Sequence, residues 1–144
     1  MKIIVTSMLL MALSLKVQAQ DLNRNEVPKQ LLSAFESDHS NATDVEWEKE
    51  VDNYKVEFEE NHLDVDIWYG TDGKVLKMEQ EVREQDLPQA IRETISKTYA
   101  PHRFDEGELH RENGKDTYKV ELEDGDREKT VYFTANGNVV KETN

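Results

Sequence analysis

No cysteine occurs among the 144 residues, which excludes disulfides, thiol catalysis and cysteine metal sites together. Stability must therefore come from packing alone, and the chain needs a real core. Basic side chains are scarce as well, 18 against 31 acidic, for a formal net charge of −13. Such a field repels phosphate backbones and anionic lipid surfaces, so neither nucleic acid nor a membrane surface is an expected partner. It favours cationic proteins or divalent cations, and it also keeps a secreted domain soluble. Catalytic signatures are missing too. There is no His-Glu-x-x-His, no Gly-x-Ser-x-Gly and no glycine-rich phosphate loop, and His39, His62, His102 and His110 show no regular pairing. General acid–base work needs a perturbed, partly buried group, and none is signalled. The sequence reads as non-enzymatic, with no cofactor.

What is present begins with MKIIVTSMLLMALSLKVQAQ. An early Lys2, an apolar run from Ile3 to Leu15 and small residues before the Ala19–Gln20 bond predict a signal peptide over 1–19. The run is too short to span a bilayer. Without Lys2 and Lys16 the remaining chain, 20–144, keeps 16 basic against 31 acidic side chains, a net of −15. The expectation is a periplasmic or secreted protein, one domain over 20–144, with no membrane anchor in the mature chain.

Two hexapeptides, YKVEFE at 54–59 and YKVELE at 118–123, lie 64 residues apart. Gly73 and Gly137, Val75 and Val139, and Lys77 and Lys141 keep the same offset. Upstream, VPKQLLSAF at 27–35 faces LPQAIRETI at 87–95 with an offset of 60, so four residues are inserted between proline and tyrosine in the second block. Three blocks in one order predict a tandem repeat, about 27–82 and 87–142.

Each block has the same local grammar. Pro28 and Pro88 suit the first turn of a helix, with Asp86 as a plausible N-cap for the second. Leu31 and Phe35 fall four apart, as do Leu87, Ile91, Ile95 and Tyr99, an apolar stripe at helical spacing. The period then changes to two. Tyr54, Val56 and Phe58 alternate with Lys55, Glu57 and Glu59; Tyr118, Val120 and Leu122 alternate with Lys119, Glu121 and Glu123. Leu63, Val65, Ile67 and Tyr69 give a further strand, matched by Arg127–Thr134 with Val131 and Phe133 inward. Glu59-Glu60-Asn61, Asp124-Gly125-Asp126, Asp72-Gly73 and Asn136-Gly137 read as turns, and extra strands are expected around 45–49 and 108–112. Trp47 shares a strand face with Val45 and reads as core. The expected fold is α+β: a tandem repeat of a helix plus three or four antiparallel strands, with both helices on one face of the sheet.

On LPQAI at a helix start with VPKQL as its counterpart, YKVEFE and YKVELE, and the aromatic–x–x–DG/NG–x–V turn present twice, the chain resembles the beta-lactamase-inhibitor-like, PepSY-like family of secreted bacterial proteins. The resemblance spans about 27–142. It implies a curved sheet that grips a partner protein on its concave face, a secreted hydrolase that it inhibits being one such partner. It implies no catalytic residues. The chain departs from the inhibitor itself in having no cysteine.

The candidate binding residues lie on the outward strand positions: Lys55, Glu57, Glu59, Lys119, Glu121 and Glu123, with Trp68 and, 64 residues on, Tyr132. An aromatic at one outward position in both blocks fits a protein-docking face, since large aromatics carry much interface energy. Cross-strand packing would explain the same pair. The alternative function is a small-ligand or calcium-binding envelope protein using its acidic face. Asp64, Asp66, Asp72, Asp124 and Asp126 supply hard oxygen ligands, although none has the spacing of an EF-hand loop.

Overall fold

The computed structural model describes residues 20–144, so the expected signal peptide over 1–19 lies outside the described residues. The chain runs β1 (Gln20–Leu22), α1 (Lys29–Asp38), β2 (Thr43–Lys49), β3 (Asn53–Glu60), β4 (Leu63–Gly70) and β5 (Val75–Glu81). It continues with α2 (Gln89–Thr98), β6 (Arg103–Glu112), β7 (Lys115–Asp124), β8 (Arg127–Thr134) and β9 (Val139–Thr143). The nine strands form one open sheet in sequential order, and each neighbouring pair is antiparallel. With its two helices, this is an α+β fold.

The helices begin just after their prolines. Pro28 and Pro88 occupy the N-cap positions, where a missing N–H removes nothing that the helix could use. Asp86 does not cap α2, contrary to expectation. It closes a single 3₁₀ turn, Glu84–Asp86, that precedes the helix, and no side chain caps α2 at all.

Both helices lie on one sheet face and bury their apolar stripes there. Leu31 and Phe35 of α1 meet Trp47, Val56, Phe58, Val65, Ile67 and Tyr69. Ile91 and Ile95 of α2, with Leu87 and Tyr99, meet Val120, Leu122, Val131 and Phe133. These are two separate clusters, each under its own helix, and no polar side chain is buried among the described residues. Each large aliphatic or aromatic side chain so buried contributes on the order of 1.5–3 kcal/mol. Phe35 makes edge-to-face contacts with Trp47 at 5.5 Å and Phe58 at 5.0 Å, which adds to the first cluster.

Several expected boundaries move. Glu59 and Glu60 belong to β3, and the hairpin turn is Asn61–His62, both at positive φ, the geometry that a two-residue turn between twisted strands requires. Gly125 and Asp126 turn between β7 and β8, with Asp124 ending the strand. The strands expected around 45–49 and 108–112 extend to Thr43–Lys49 and Arg103–Glu112. Asn113-Gly114, both at positive φ, forms the β6–β7 hairpin that the sequence reading passed over. Trp47 is core at 5% exposure, but Val45 is 39% exposed, because a register shift between Thr43 and Glu46 lifts that end of β2 out of alternation.

Candidate functional site

The period-two alternation sends one set of side chains toward the helices and the other to the opposite, open face. On that open face β3 places Lys55 directly across from Trp68 of β4, and β5 places Lys77 on its other side. The Lys77 ammonium is 4.3 Å and the Lys55 ammonium 5.0 Å from the Trp68 ring centroid, both within cation–π range. The indole Nε1–H donates to Glu50 at 3.4 Å. Four strands away, Tyr132 of β8 stands between Lys119 of β7 and Lys141 of β9, with the Lys141 ammonium 5.6 Å from its ring. Trp68 and Tyr132 are both partly buried, and roughly 19 Å of sheet, four spacings of ~4.8 Å, separates their strands.

The two lysines beneath the aromatics are tied down in the same way. Lys55 bonds Glu57 on its own strand and Asp66 across β4 at 2.8 Å. Lys119 bonds Glu121 at 2.9 Å and Glu108 of β6 at 3.5 Å. Burial of Lys55 opposes its charge, but the bonds to Asp66 and Glu57 outweigh this and raise its pKa. For Lys119 the bond to Glu121 dominates and also raises it. Both are therefore held as cations. Asp66 moves up despite Lys55: burial is the largest cause, with Glu57 and Glu79 adding repulsion. Glu48, facing Lys55 from β2, is raised by burial and then by the charge of Glu57.

The structure thus brings Lys55, Glu57 and Trp68 into one contact group, and Lys119, Glu121 and Tyr132 into another. Glu59 stands opposite Asp64 with the exposed His62 imidazole 3.2 Å away, and Glu123 stands exposed at the far end of β7 opposite Glu128. Neither belongs to an aromatic group. Sequence reasoning missed Lys77 and Lys141 as partners of the aromatics, although their shared offset was visible. It also missed the β5–β6 seam, where His110 lies 2.7 Å from Glu108 and 3.5 Å from Glu79. Burial pushes Glu108 up, but His110 and Lys119 together hold it below the usual range. The hard-oxygen candidates Asp64 and Asp66 lie on this face, whereas Asp72 is engaged by Lys74 at a turn. Among the described residues no three His, Asp or Glu side chains converge in a metal-binding geometry.

A family model described as putative beta-lactamase-inhibitor-like, PepSY-like matches residues 13–77 and again 66–141. The chain belongs to this family. Solved structures share the fold at low identity. A DUF2874 family protein from Bacteroides uniformis aligns with TM-score 0.67 at 15% identity, covering 81% of this chain and 88% of its own. A BLIP-like protein from Bacteroides fragilis aligns with TM-score 0.65 at 19% identity over 81% and 84% of the two chains. A protein from Bacteroides eggerthii described as a putative periplasmic protein aligns with TM-score 0.67 at 13% identity over 81% and 88%. No curated protein matches the chain. This PepSY-like chain has no described helix long and apolar enough to cross a membrane.

Proposed function

We propose that this PepSY-like protein is an exported, non-enzymatic binding module that engages a protein partner through the open face of its sheet. Trp68 and Tyr132 are the apolar anchors, and Lys55, Glu57, Glu59, Lys119, Glu121 and Glu123 set orientation around them. One observation carries the reading: two aromatics at matching positions on the face away from both helices, each flanked by lysines from the strands on either side. A ring held by such neighbours gives up little rotational freedom on docking, which favours its use as an anchor. Inhibition of the partner, a secreted hydrolase among the candidates, is the role that the family's beta-lactamase-inhibitor-like character favours.

The same reading takes 1–19 as a signal peptide and 20–144 as one domain built from two copies of a unit, about 27–82 and 87–142, acting in the periplasm. The repeated order of one helix and four strands, the double family match and the putative periplasmic neighbour support it.

The test is capture and identification of the envelope partner, followed by titration calorimetry with wild type and Trp68→Ala/Tyr132→Ala. Anchors of this kind contribute about 2 kcal/mol each, so the double variant should bind at least ~100-fold more weakly with an unchanged circular dichroism spectrum. Equal affinity would remove the site assignment.

A further inference from the structure

The two buried clusters share no residue, so the halves of the sheet do not meet in a common core. They are joined by the β5–β6 ladder, and the β1–β2 ladder shows what that joint would otherwise be. Gln20, Asp21 and Leu22 stand opposite Lys49, Glu48 and Trp47. At the offset of 60, Gln80 and Glu81 stand opposite Leu109 and Glu108, and the Val82 amide donates to the Gly107 carbonyl at 2.8 Å. Each short seam sets an acid against an acid, Asp21 against Glu48 and Glu81 against Glu108, which weakens the ladder. Beyond this point the two differ. β2 ends at Lys49, and a loop over Glu50–Asp52 leads to β3. β6 runs on through His110, Arg111 and Glu112, which pair with Thr117, Asp116 and Lys115 of β7 on one side and with Glu79, Met78 and Lys77 of β5 on the other.

This extension accounts for the four residues by which the second block exceeds the first. Residues 110–117 stand where the first half has 50–53, because Leu109 opposite Tyr118 matches Lys49 opposite Tyr54. The extension turns on Asn113-Gly114, and Arg111 holds Asp116 through two bonds of 2.7 and 2.8 Å near its tip. Across the seam His110 lies 3.5 Å from Glu79, and Met78, opposite Arg111, packs against the first cluster. We infer that this inserted hairpin extension is the strut that fixes the two halves of the sheet to one another, holding Trp68 and Tyr132 at a set spacing so that a protein partner engages both at once. Trp68 stands one strand before the seam and Tyr132 two strands after it, so a hinge there would change their separation. The inference rests on the open face being the docking face. It adds that affinity depends on residues touching neither ring, since a rigid frame makes the second contact intramolecular.

Nitroxide labels on Glu36→Cys and Glu93→Cys, exposed positions on the two helices of a chain with no cysteine of its own, report the placement of the halves by pulsed electron resonance. With the hairpin intact the distance distribution should be single and narrow. Deleting Arg111, Glu112, Lys115 and Asp116 gives the second half the length of the first, keeps the Asn113-Gly114 turn and preserves the alternation of faces on both strands. The deletion should broaden the distribution, and an equally narrow one overturns the inference. Should the deletion unfold the chain, hydrogen exchange in the unaltered protein decides. Amides of 77–79 and 110–112 should exchange as slowly as those at the centre of the β3–β4 pair, and exchange as fast as that of fraying strand ends overturns the inference. Affinity for the captured partner should fall about ten-fold or more in the deletion protein, although Trp68, Tyr132 and their lysines remain. Full affinity there, with weak binding by Trp68→Ala/Tyr132→Ala, overturns the strut and leaves the docking face standing. Full affinity in both proteins removes the docking face and the two-point engagement together.

Discussion

The Lys77 ammonium lies 4.3 Å from the centroid of the Trp68 ring, on the strand next to the one that carries the indole. Trp68 is therefore neither free nor entombed: its ring is gripped at the sides and partly open above. Trp47, the other tryptophan, is 5% exposed beneath α1.

This contrast should be visible in fluorescence. Trp68→Phe should leave blue-shifted emission that acrylamide quenches poorly, because only buried Trp47 remains. Trp47→Phe should leave red-shifted, readily quenched emission and destabilise the fold by about 1–2 kcal/mol, since the smaller phenyl ring leaves part of the indole's buried volume empty. Equal quenching of the two variants would contradict the face assignment.

Glu48 gives a pH-dependent prediction. Burial, then the charge of Glu57, raises its pKa in the folded protein. An acid whose folded pKa is raised binds its proton more tightly when folded, so its stabilising effect is full below the unfolded pKa and is lost as pH rises through the raised value. Glu48→Gln should thus raise stability at pH 7 by a few tenths of a kcal/mol, because burial of the charge outweighs its attraction to Lys55 and solvent screens both. The gain should vanish near pH 3, where the native carboxyl is already neutral. Thermal melts of both proteins across pH 3–7 measure it, and a gain independent of pH would rule the explanation out.

Gly137 and Gly125 separate strain from close approach. Both sit at positive φ, but a Cβ on Gly137 would meet the Ala90 carbonyl oxygen of α2 at 2.6 Å, whereas one on Gly125 meets nothing within 4 Å. Gly125→Ala should cost about 1 kcal/mol from backbone strain alone. Gly137→Ala adds displacement of α2 from the β8–β9 turn and should cost at least about 1 kcal/mol more. Urea denaturation of the two variants makes the comparison; equal losses would mean that the turn and helix do not meet as described.

The two cores should respond independently. Ile67→Val in the first cluster and Ile91→Val in the second should each cost about 0.5–1.5 kcal/mol. Their double variant should equal the sum within about 0.5 kcal/mol. Phe35→Leu with Phe58→Leu, whose rings are 5.0 Å apart, should deviate from additivity by more than that. Strong coupling between the isoleucines would show that the clusters act as one.

Much of this was legible in the sequence because the rules involved are local. A strand turns successive side chains to opposite faces, so Tyr54-Lys55-Val56-Glu57-Phe58 already separates core from open face. Leu87, Ile91, Ile95 and Tyr99 recur at helical spacing and all are buried. The Asp86 cap failed because two competing local structures, a 3₁₀ turn and a helix headed by Pro88, suit the same residues.

Which side chains meet was another matter. A register shift next to Trp68 brings Lys77 rather than Leu76 to its ring, and a shift of one residue turns a strand's side chains to the other face. Nothing in Val75–Glu81 alone specifies that shift, because it depends on how the partner strand is held. Likewise β5 pairs with β6 across α2, setting Glu81 against Glu108 and Glu79 against His110. The sequence by itself determined the identity of the two faces, since alternation is a property of the backbone. Only the tertiary structure decided the neighbours on each face, since strand pairing is settled by the packing of distant residues.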